Sequence, residues 1–173
     1  MAELSGWVEP PVGLAAELWR RPEELAAFGL EPGDVDRSIA DRRDLAQDLL
    51  PTIARQADLA PLLAQPTTAD LLWRVWLPWA IDLAQRQKRL NRPIVQAILG
   101  SQGTGKTTTA ALLGHALAQL GLRSIALSID DLYKTYADRQ ALRDREPRLI
   151  WRGPPGTHDV DLGIRALDRL RAG

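Results

Sequence analysis

Gly100-Ser101-Gln102-Gly103-Thr104-Gly105-Lys106-Thr107 is the stretch whose reading decides the fold. It has the G-x-x-x-x-G-K-[ST] spacing of a phosphate-binding loop. Ile94-Val95-Gln96-Ala97-Ile98-Leu99 before it is a mostly apolar run of buried-strand length, and Thr108 to Leu120 after it repeats apolar residues at helical spacing. Strand, glycine loop and helix are thus expected in the order that phosphate binding requires. Glycines let the loop wrap closely around an anion, and the N–H groups of the loop and first helical turn face it. The expected nucleotide-binding residues are Gly100, Ser101, Gln102, Gly103, Thr104, Gly105, Lys106, Thr107 and Thr108. Lys106 would reach the β/γ-phosphates of ATP, and the Thr107 hydroxyl would ligate Mg²⁺.

Beyond the loop, Leu120-Gly121 carries a helix C-terminal signal and Ser124 to Ile129 reads as a second apolar strand. A strand, loop, helix, strand unit predicts a P-loop NTPase-like parallel sheet with helices on both faces, an α/β fold. Asp130, Asp131 and Tyr133 then fall at the carboxyl end of the second strand, where open sheets bind ligands. Asp130 could orient Mg²⁺ or take a proton from an attacking hydroxyl. Residues 136–151 are polar and arginine-rich. After them, Arg152-Gly153-Pro154-Pro155-Gly156-Thr157-His158-Asp159 reads as a defined loop presenting a hydroxyl, an imidazole and a carboxylate. Leu162 to Leu170 returns to a helical period, with Asp161 as its expected cap.

Upstream, after an extended lead-in at Met1 to Pro11, the pattern is mainly helical, which divides the chain into a region 1–92 and a loop-bearing region 93–173. Val12 to Phe28 is one apolar-periodic segment. Asp34 is expected to cap a second, which places Val35, Ile39, Leu45, Leu49, Leu50 and Ile53 on one side and is interrupted near Pro51. Thr67 with Asp70 approximates a capping box ahead of a face formed by Leu71, Leu72, Val75, Trp76, Trp79 and Leu83. Trp7, Trp19, Trp73, Trp76 and Trp79 lie in this region, and packing between elements is their expected role. Arg86, Lys88, Arg89 and Arg92 read as a solvated basic helix end.

Composition narrows the functions open to these 173 residues. There is no cysteine for a disulfide or thiolate site, and two histidines, His115 and His158, argue against a histidine-based zinc centre. No long apolar window or leader pattern is present, so no membrane span is expected and the cytoplasm is the expected location. Formal net charge is zero, which does not favour nucleic acid as a partner.

The combination of GSQGTGKT, Ser128-Ile129-Asp130-Asp131-Leu132-Tyr133 and RGPPGTHD at 152–159 resembles D-glycerate 3-kinase of the plant, fungal and cyanobacterial type. That family lies within the P-loop kinases related to uridine kinase, pantothenate kinase and phosphoribulokinase. The resemblance implies ATP- and Mg²⁺-dependent phosphorylation of D-glycerate. Asp130 and Lys106 would be catalytic, Thr107 and Asp130 would hold the metal, and Asp131, Tyr133, Arg152, His158 and Asp159 would surround the substrate. It also implies that the sheet is incomplete by residue 173, leaving an uncovered edge for association. Alternatives are a nucleotide-binding remnant without phosphotransfer, or a kinase for uridine or pantothenate.

Overall fold

The computed structural model describes residues 31–149 and 151–172. The expected helix Val12 to Phe28, Trp7 and Trp19 lie outside the described residues. Six α-helices are described: α1 (Val35–Ala54), α2 (Pro66–Leu71), α3 (Leu77–Leu90), α4 (Lys106–Gln119), α5 (Tyr136–Arg145) and α6 (Val160–Ala172). The chain forms two compact units. One is drawn from residues up to Leu90 together with Gln96–Ile125; the other comprises Asn91–Val95 and the chain from Ala126 onward.

The first unit is a helical packing of α1, α3 and α4. Leu45, Leu49, Leu50 and Ile53 of α1 meet Leu77 and Ala80 of α3 and Leu112, Leu113 and Ala116 of α4 in one core. These α1 residues recur at helical spacing, so one side of the helix leaves water together. The helix runs unbroken through Pro51 and ends three residues later; Asp34 makes no side-chain cap to it and instead accepts a hydrogen bond from the Glu31 N–H at 3.1 Å. Nor does Thr67 cap α2, whose first residue is Pro66, where a missing N–H costs nothing. Between α2 and α3 the helix continues as a π-turn, Leu72–Trp76, in which the Leu77 N–H reaches the Leu72 carbonyl. Trp73, Trp76 and Trp79 pack against the core. Arg86 pairs with Asp82 on the exposed side of α3.

The expected parallel sheet is not formed: there is no strand among the described residues, and this overturns the α/β, P-loop NTPase-like reading. Residues 94–99 and 122–128 have no ladder partner, and Leu99 and Ile125 are 88% and 71% exposed. An apolar run becomes a strand only when another strand takes its backbone groups and helices cover its faces. The helix expected to cover it, α4, has placed Leu112, Leu113 and Ala116 in the helical core with α1 and α3. With no sheet among the described residues there is no sheet edge there, so association through one is also set aside.

In the second unit, Ser128 starts a short 3-10 turn, Ile129–Leu132, and Thr135 caps α5 by accepting from the Asp138 N–H at 3.2 Å. Leu132 packs on α6 at Gly163, where a Cβ would lie 2.8 Å from Leu132 Cδ1. Among the described residues no helix is long and apolar enough to cross a membrane.

Candidate functional site

Residues 100–108 form one turn leading into α4. Gly103 and Gly105 sit at φ 80° and 78°, the left-handed region that glycine enters without a Cβ penalty, and Gly105 is the residue from which α4 starts. The Thr104 hydroxyl donates to the Ser101 carbonyl at 2.8 Å, closing the turn. Gly100 is required there for space, because a Cβ would come within 2.6 Å of Thr104 Oγ1. Lys106 folds back over the turn, its ammonium donating to the carbonyls of Gly100 at 2.9 Å and Ser101 at 2.7 Å. The Thr109 N–H makes a helical bond to the Gly105 carbonyl, while the amides of 106–108 have no acceptor within the helix. Ser101, Gln102 and Thr107 are exposed, and Lys106 and Thr108 half-buried. The structure thus gathers all nine residues at the positive end of a 14-residue helix.

The other expected site residues belong to the second unit. Asp131 is a capping residue: its carboxylate accepts the Ser128 N–H at 3.0 Å, while the Asp130 N–H donates to Ser128 Oγ at 3.2 Å. Asp130 itself is exposed. Tyr133 and His158 are opposed in an isolated antiparallel bridge, flanked by Lys134 N–H to Thr157 O at 3.0 Å and Asp159 N–H to Leu132 O at 2.7 Å. Their rings stack with centroids 4.3 Å apart, and the Arg152 guanidinium lies 5.4 Å from the Tyr133 ring centre. Asp159 caps α6 by accepting the Leu162 N–H at 2.8 Å, the role expected of Asp161 two residues later. Thr157, 1% exposed, was not singled out as a site residue, yet it locks the loop. Its hydroxyl donates to Pro154 O at 2.7 Å and accepts from Gly153 N–H at 3.3 Å.

No family model matches the chain. Over 81 residues, 45% of its length, it is 36% identical to "Uncharacterized kinase mug58" of Schizosaccharomyces pombe, covering 29% of that protein. Over 81 residues it is also 33% identical to "D-glycerate 3-kinase, chloroplastic" of Arabidopsis thaliana, covering 18% of it. The chain therefore spans less than a third of either curated relative.

So partial a likeness does not carry the D-glycerate 3-kinase assignment, and the fold argues against it. Sheet-borne phosphotransfer places loop and acid at the ends of paired strands, and the described residues contain none. The reading as an ATP-dependent enzyme, whether on D-glycerate, uridine or pantothenate, and the reading as a nucleotide-binding remnant both rested on that sheet and are corrected with it. The expected Mg²⁺ site on Thr107 and Asp130 is corrected as well: no group of three or more His, Cys, Asp or Glu that could hold a metal ion occurs among the described residues. A D-glycerate site lining Asp131 and Asp159 meets a further objection, since both carboxylates accept backbone N–H groups as caps.

Proposed function

We propose that the turn at 100–108 binds a free phosphate-type oxyanion and holds it without transferring it. The observation that carries this reading is the convergence at one helix start of two left-handed glycines, the orphan amides of 106–108 and the Lys106 ammonium. Lys106 now spends its charge on two loop carbonyls, and an incoming anion offers it a stronger, charge-assisted partner. In this reading α1 and α3 serve as the support that keeps α4 in place. A cytoplasmic setting belongs to the same proposal, and imaging of a tagged protein tests it.

The binding experiment titrates inorganic phosphate and pyrophosphate into the protein while following backbone amide signals. Saturable shifts confined to residues 100–108, lost in Lys106→Ala with the melting temperature retained, are the expected result. Equal affinity in Lys106→Ala, or shifts spread evenly over the surface, rejects the assignment.

A further inference from the structure

Charge is segregated along this chain although it sums to zero. No Asp or Glu occurs in the 47 residues 83–129, which carry Arg86, Lys88, Arg89, Arg92, Lys106 and Arg123, whereas residues 31–82 hold nine acids against five cations. Three of these cations, Arg86, Lys88 and Arg89, stand exposed on the last five residues of α3. Lys88 and Arg89 make no ion pair among the described residues, and Arg86 meets Asp82 at 3.5 Å in a surface pair that a phosphate can displace. The dipole of α3 brings about half a negative charge to this end, which three cations outweigh.

The shape of the cluster narrows the anion it fits. Leu77, Ala80 and Leu83 of α3 are already buried, and the basic end exposes a single apolar residue, Leu90, at 49%. A lipid surface holds a helix by inserting an apolar face as well as by charge, and this end has no such face to insert. At roughly 100° per residue the three cations spread over about 160° of the helix circumference, so a rigid duplex meets only part of the set. A flexible strand curls around the helix end and meets all three. Gln85, also exposed, adds an amide donor of the kind that bonds phosphate oxygens, and Leu90 gives an unstacked base an apolar surface. We infer that the carboxyl end of α3 is a docking surface for the phosphate backbone of a single-stranded nucleic acid, separate from the turn at 100–108.

To test this, the full chain is titrated into fluorescein-labelled oligothymidylate and followed by anisotropy over a series of salt concentrations. Three phosphates neutralised on a single strand give log K against log salt a slope of about −2, and Arg86→Ala, Lys88→Ala and Arg89→Ala should each make it shallower by about 0.7. Lys88→Glu/Arg89→Glu should abolish saturable binding with the melting temperature retained. Lys106→Ala, which strips the ammonium from the turn at 100–108, should leave the titration unchanged, so failure of that turn and failure of this surface are read separately. Unlabelled oligothymidylate, the corresponding duplex, polyglutamate and vesicles of phosphatidylserine and phosphatidylcholine are compared as competitors, and the unlabelled strand should displace best. Absence of binding, a slope unchanged by the alanine variants, binding that survives the double reversal or is lost in Lys106→Ala, or equal displacement by duplex, polyglutamate or vesicles overturns the inference.

Discussion

Replacing Gly100 by alanine tests whether the turn is closed by the Thr104 hydroxyl. The new Cβ would lie 2.6 Å from Thr104 Oγ1, whereas ordinary van der Waals contact begins at 3.4 Å. The hydroxyl must therefore move by about 0.8 Å, which breaks its 2.8 Å bond to the Ser101 carbonyl. Gly100 is not among the glycines with positive φ, so the cost is steric rather than backbone strain. Losing one intramolecular hydrogen bond is worth about 1 kcal/mol, roughly a fivefold change in an equilibrium constant. Thr104→Ala loses the same bond without a clash and should cost the same. In the double variant the clashing atom is gone, and the next contact, Thr104 Cβ at 3.5 Å, is tolerable. Gly100→Ala/Thr104→Ala should therefore cost no more than either single change, a coupling of about 1 kcal/mol. Urea unfolding of all four proteins measures this, with constant m confirming that only stability has changed. Additive costs, or a Gly100→Ala protein as stable as the wild type, would refute the reasoning.

Two further outcomes are expected. Leu112, 2% exposed in the core shared by α1, α3 and α4, should lower stability by about 2–5 kcal/mol when cut to alanine, read by thermal unfolding. Glu146 is held below the ordinary glutamate pKa first by its side-chain bonds to Arg148, so any stability it adds is present above the unfolded-state pKa and is lost as pH falls through the folded value. Arg148→Ala should return the Glu146 titration to the ordinary range by carboxyl NMR while leaving neutral-pH stability nearly unchanged, since the Arg148 partner is exposed to solvent.

Local chemistry was legible in the sequence, whereas partnership between distant segments was not. The glycines, Lys106 and the apolar spacing of α4 are local features, and together they mark the turn and helix start seen at 100–108. Leu120-Gly121 likewise closes α4: Leu122 N–H reaches Leu117 O and Gly121 N–H reaches Ala118 O, with Gly121 at φ 76°. Whether 94–99 pairs with 124–129 depends instead on what else covers them, and no property of either hexad states that α4 will be drawn into a helical core. Cap positions failed by a residue or two for a related reason. Asp159 and Asp161 are the same residue type flanking one helix start, and the choice was made by the bridge that fixes 157–159. Residues 136–145 read as polar chain because α5 has no buried residue, so no apolar stripe announced it.

The five-residue step from Leu72 to Leu77 makes the long tryptophan-bearing helix adjustable in length. Thr68, Leu72, Leu77 and Ala80 are all buried, with the π-turn setting a five-residue step between Leu72 and Leu77, while Leu71 and Val75 beside them are exposed. One surplus residue is thus stored inside the helix. Removing a single residue from 72–76 would convert the wide turn to ordinary helix and leave the buried rows on either side in phase. A deletion that would scramble almost any other helix is one this segment is built to absorb, so descendants of the chain that differ here by one residue in length would keep the same core.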